Sequence, residues 1–116
     1  MQIRLATTDD LERMFPLVRA YAQETEEHGV ERNDALLCDA IVYGIRTGEA
    51  VVVAEQEGAL VGWCAWVHLP HSPARKAEGL GTYVVPSLRH DHVSRDLRVF
   101  TEDHAYRLGY RYVDGI

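Results

Sequence analysis

Two short runs gather side chains that can bind a metal or move a proton. His68-Leu69-Pro70-His71 sets two imidazoles with a two-residue gap between them, and His90-Asp91-His92 places a carboxylate between two more. Such groups serve zinc binding or general acid–base work near neutral pH. The zinc reading falls short: no helix holds the first pair on one face, no Cys pair accompanies either run, and zinc wants three or four fixed ligands. No metal is expected. Cys38 and Cys64 fall in unlike patterns, one helical and one strand-like, and suit buried thiols better than a disulfide or a zinc pair. Trp63 and Trp66 point to opposite faces of one predicted strand, which suits core anchors better than a stacking platform for bases.

The elements that must position these residues fit one domain, 1–116, because 116 residues support one core and not two. With 47% hydrophobic and 26% charged residues, the composition excludes collagen-like, low-complexity and intrinsically disordered classes. The longest apolar runs, such as residues 50–54, are far too short to cross a membrane. Met1-Gln2-Ile3-Arg4-Leu5 lacks the basic and apolar regions of a signal peptide, so a cytoplasmic location is expected. Eighteen acidic against 12 basic residues give a net charge of −6, which argues against nucleic acid as a partner and tolerates a basic one.

Ile3 and Leu5 alternate with polar neighbours and predict a short strand. Thr7-Thr8-Asp9-Asp10 opens a helix whose apolar face is Leu11, Met14, Phe15, Val18, Tyr21 and Ala22, with a kink or break expected at Pro16. Glu24, Glu26, Glu27 and His28 read as its solvated end. Asn33 caps a second helix running to Gly48. Residues 50–56 and 60–67 form a hairpin about Glu57-Gly58, the second strand apolar on both faces and therefore central. Residues 68–78 have no period and predict a loop, and 79–85 form a strand ended by Pro86. Ser94 caps a helix to Leu108 with Gly109 as its stop, and residues 110–113 begin a last strand. The order is β-α-α-β-β-β-α-β, an α/β arrangement with no repeats and no linker.

That order, with Tyr83-Val84-Val85-Pro86-Ser87-Leu88-Arg89-His90-Asp91-His92-Val93-Ser94, resembles the GNAT superfamily of acyl-CoA-dependent N-acyltransferases over nearly the whole chain. In that family a Val-x-Pro step leads into an Arg-x-x-Gly-x-Gly/Ala turn that opens a helix, and its backbone N–H groups bind the pyrophosphate of coenzyme A. Pro86, Arg89, Val93 and Ser94 stand at matching positions, while His92 and Ser94 occupy the two glycine positions. Arg107-Leu108-Gly109-Tyr110 also resembles the family's helix-to-strand step. The resemblance implies a mixed, mostly antiparallel sheet flanked by helices, with a cleft where the fourth and fifth strands splay. Family members usually add a further helix and two strands, and that helix often carries a tyrosine that protonates the leaving thiolate. The sequence as it stands lacks them, so another subunit would have to supply that acid.

What the resemblance implies for function is acetyl transfer from acetyl-CoA to an amine by direct attack. Val84 or Val85 would polarise the thioester carbonyl through its N–H, and Arg89, His90, Asp91, His92, Val93 and Ser94 would hold the pyrophosphate. For a base or water-positioning group the candidates are Tyr83 and Glu78, with Glu55, His68 and His71 behind them. Tyr106, Tyr110 and Tyr112 read as core and strand residues, although Tyr112 lies near the end of the sheet where the chemistry is expected. The acceptor would be a small-molecule amine or a basic protein segment. The other functional class is an inactive GNAT scaffold that binds proteins, self-associating or docking a partner through its C-terminal sheet edge. No membrane and no nucleic-acid role is expected.

Overall fold

The computed structural model describes residues 1–27, 29, 34–48, 50–68 and 75–116. The elements are β1 (Gln2–Leu5), α1 (Leu11–Glu27), α2 (Asp34–Gly48), β2 (Val51–Gln56), β3 (Ala59–His68), β4 (Lys76–Val84), α3 (Val93–Arg107) and β5 (Tyr112–Asp114). Single 3₁₀ turns, Thr8–Asp10 and Pro86–Leu88, precede α1 and follow β4. The five strands form one sheet in chain order, antiparallel except for the parallel β4–β5 pair. This is the expected α/β order. No described helix is long and apolar enough to cross a membrane.

Alternation along the strands sorts the core into two layers. Val51 and Val53, with Trp63, Ala65 and Tyr83, meet Met14, Val18 and Ala22 of α1 and Leu37 and Ile41 of α2. Val52, Ala54, Cys64 and Val84 meet Val93 and Leu97 of α3 on the opposite face. Trp66 belongs with Ala77 and Ala105 at the far end of α3, so the two tryptophans do face opposite sides. Strand β3, covered on both faces, lies at the centre of the sheet as its sequence predicts.

Three local expectations change. Helix α1 runs unbroken through Pro16, because the face that carries Met14, Val18 and Ala22 is buried on both sides of it. The segment predicted as a loop over 68–78 is partly strand: β3 reaches His68 and β4 already begins at Lys76, where β5 pairs with it. Ser94 does not cap α3; the helix starts at Val93 and the capping position is His92. Asn33 and His71 lie outside the described residues.

Candidate functional site

Strand β4 pairs with β5 only over Lys76, Ala77 and Glu78, which face Tyr112, Val113 and Asp114. Pairing with β5 ends at Glu78, Gly115 still packs on Gly79, and beyond that no described strand covers this edge of β4. Its backbone orientation follows from the ladder. Val85 N–H donates to Val61 O at 2.9 Å, and successive residues turn their amides to alternate sides. Thr82 and Val84 therefore turn N–H and C=O away from β3. The register shifts at the same place: Ala65 faces Gly81 while Trp66 faces Gly79, so Leu80 is the extra residue of a β-bulge. Bulges commonly re-aim a strand beside a site.

A cleft of about 390 Å³ lies along this edge. Its walls are Thr82, Tyr83 and Val84, then Tyr21, Glu24 and Thr25 from α1, with Arg89 and Ser94 at one end. At that end the chain turns through Pro86–Leu88 and reaches α3 by way of His92, whose φ of 62° and ψ of 7° are left-handed. The first bond into the helix from outside is Asp96 N–H to His92 O, 2.9 Å. The amides of Val93, Ser94 and Arg95 therefore have no carbonyl a turn earlier to bond, and with the helix dipole they favour an anion.

Arg89 does not reach forward into the turn. Its Nε donates to Val84 O at 2.9 Å, its terminal nitrogen pairs with the Glu24 carboxylate, and its guanidinium lies 5.3 Å from the Tyr83 ring centre. The bond to Glu24 raises its pKa against the opposing effect of burial. One arginine thus ties the end of β4 to α1 across the cleft.

Solved structures share this fold. An acetyltransferase from Vibrio fischeri superposes with a TM-score of 0.77 at 19% identity, covering 97% of this chain and 93% of its own. A ribosomal-protein-alanine N-acetyltransferase from Brucella melitensis biovar Abortus 2308 gives 0.70 at 20% identity, covering 100% and 80%. AAC(6')-Iy, in complex with the bisubstrate analogue CoA-S-monomethyl-acetylneamine, gives 0.72 at 18% identity, covering 99% and 78%. The chain has the GNAT fold. No family model and no curated protein sequence matches it.

On this GNAT fold the predicted residues divide. Tyr83, Val84, Arg89 and Ser94 line the cleft. His90, Asp91 and His92 are exposed on the turn and Val93 is buried beneath it. Val85 leaves the polarising role, since its N–H is bonded to β3, and the Asp91 amide is held by Leu88 O at 3.2 Å. Glu78 sits where β4 meets β5, about 16 Å of strand from Tyr83, so the two catalytic candidates are not brought together. Glu55 is bound to Arg4 and Arg13 at the opposite side of the sheet, which lowers its pKa. His68 packs its ring 5.5 Å from Tyr110, away from the cleft. Tyr112 is exposed and pairs with Lys76, at the closed end of the parallel strands rather than the splayed one. Tyr106 is exposed on α3, and Tyr110 packs edge-on against Trp66.

Sequence reasoning missed the α1 wall. The helix pattern places Tyr21 in the core stripe, where it does pack beside Trp63, and Glu24 at a solvated end; it does not show that both also line the cleft. The available signal was spacing: Tyr21, Glu24 and Thr25 stand at i, i+3 and i+4 and share one side of the helix.

Proposed function

We propose that this chain is an acyl-CoA-dependent N-acyltransferase that moves an acetyl group to an amine by direct attack. The observation that carries the reading is the free edge of β4 running into the start of α3, which puts strand-like donors and an anion site along one cleft. These features fit acetyl-CoA. Thr82 and Val84 would pair with the amides of its arm, and Val93, Ser94 and Arg95 with its phosphates through their N–H groups. When bound, acetyl-CoA supplies the acyl group as an activated thioester. Thr82 and Val84 both turn N–H to this edge, and the one beside the thioester would polarise its carbonyl. Tyr83 is the cleft-facing member of the expected base pair, and we assign it water positioning. The net charge of −6 favours a cationic amine as acceptor. A cytoplasmic setting belongs to the same proposal.

Two observations favour the second reading, an inactive scaffold for protein binding: Arg89 is engaged with Glu24, and His92 carries a side chain where the turn is left-handed. On that reading the short, exposed β5 edge is the surface for self-association or a partner strand. Calorimetric titration with acetyl-CoA and with CoA separates the two. Micromolar binding at one site per chain supports the acyltransferase. No binding at millimolar ligand overturns it in favour of the scaffold.

A further inference from the structure

The inner end of the cleft is an aromatic ring. Tyr21 of α1 lies over Gly81 so closely that a Cβ there would stand 2.7 Å from Cζ and 2.9 Å from the hydroxyl oxygen. Only glycine at 81 lets the ring lie on the strand. Trp63, fully buried, meets the ring edge-on with centroids 5.1 Å apart and planes at 79°, which backs the ring against the core. One residue further along, Leu80 forms the bulge. At Gly79 any side chain would collide with the carbonyl of Gly115, just past the end of β5, so the chain closes on β4 there.

We propose that Tyr21 sets the length of the acyl chain this cleft accepts, admitting acetyl and rejecting longer groups by the bulk of its ring. The inference rests on the acyl-CoA reading above. A ligand with its phosphates at the start of α3 and its arm along Thr82 and Val84 carries its thioester towards the bulge. There Tyr21 stands over Gly81, and the junction at Gly79 closes the way beyond. An acyl chain longer than acetyl must displace a ring that Trp63 holds in place, and forcing methylenes into packed space is unfavourable.

The test is calorimetry of CoA, acetyl-CoA, butyryl-CoA and hexanoyl-CoA on the wild type, Tyr21→Phe, Tyr21→Leu and Tyr21→Ala. The wild type binds CoA and acetyl-CoA alike and loses about tenfold or more in affinity by hexanoyl-CoA. Tyr21→Phe keeps that ranking, because bulk and not the hydroxyl is the determinant. Tyr21→Ala brings hexanoyl-CoA to within about threefold of acetyl-CoA, most of a tenfold discrimination being lost, each affinity being read relative to CoA on the same variant. Tyr21→Leu, which keeps an apolar contact on Trp63, moves the ranking the same way by a smaller step and carries the test if the alanine variant does not fold. Wild-type affinities independent of chain length, or a ranking unmoved in both shortened variants, overturn the inference while CoA binding stands. Loss of CoA binding by the wild type itself overturns the acyltransferase reading, and this one with it.

Discussion

Two arginine–carboxylate clusters hold this molecule together, and they are built to opposite rules. At the start of α1, Asp10 is 2% exposed and both its oxygens are used: Arg4 reaches them at 2.8 Å with two nitrogens, Arg13 adds a bond of 2.8 Å, and Thr7 N–H adds another of 2.7 Å. At the cleft, Arg89 and Glu24 form a single pair whose side chains are 39% and 38% exposed. A buried carboxylate with every lone pair occupied is a structural fixture, since removing any partner strands charge. A half-exposed pair contributes little to stability and can exchange partners with an incoming anion. The first cluster locks β1, α1 and β2 together; the second spans the cleft that a ligand would enter.

Substitution gives the largest test of that contrast. Asp10→Ala leaves Arg4 and Arg13 facing an empty carboxylate site and is expected to cost about 3 kcal/mol, read as a lower urea midpoint at unchanged slope. Glu24→Gln is expected to cost less than about 1 kcal/mol. Equal losses would erase the distinction.

The difference also explains what was legible in the sequence. Element order, the central place of β3 and the two core layers follow from periodicity, because burial acts on every residue of a face. The Asp10 cluster was visible only as a helix start at residues 7–10, since Arg4 and Glu55 reach it through pairing of β1 with β2. The cleft was half legible: Arg89 and the turn stand in a contiguous motif, whereas Tyr21 and Glu24 come from a helix more than sixty residues earlier. Which of Val84 and Val85 offers a free N–H depended on the register of β4 against β3, which no local pattern encodes.

Ligand binding sharpens the contrast next. If the cleft pair exchanges partners, Arg89→Ala is expected to weaken CoA binding about tenfold, as for loss of one charge-assisted bond to phosphate. Glu24→Gln, which frees Arg89 and removes a negative charge from the wall, is expected to tighten CoA binding by about two- to threefold. Titration calorimetry reads both. Unchanged affinity in both variants would make Arg89–Glu24 a surface pair like any other.

Acid probes the buried cluster without mutation. Hydrogen bonds from Arg4 hold the Asp10 carboxyl well below its ordinary 3.8. A depressed folded pKa contributes stability that is complete above the unfolded value and fades as pH falls through the folded one. Between pH 5 and pH 3 the wild type is expected to lose about 1 kcal/mol more than Asp10→Ala, measured by urea unfolding at each pH. Parallel losses in the two proteins would show that Asp10 does not titrate in this way.

The smallest effect separates the two clusters by sign. Every contact of Asp10 is favourable, whereas the turn beside Arg89 keeps a left-handed histidine, His92 at φ 62°. Left-handed backbone costs a residue with a Cβ about 1–2 kcal/mol, and glycine gives back part of that gain through its greater freedom when unfolded. His92→Gly is therefore expected to raise stability by about 0.5–1 kcal/mol, a thermal midpoint a few degrees higher. CoA affinity in this variant should hold or rise, because the side chain leaves the turn while the amides of Val93, Ser94 and Arg95 stay. A variant that is more stable but loses CoA would place the imidazole itself on the ligand, and the left-handed histidine would then be a contact rather than a cost.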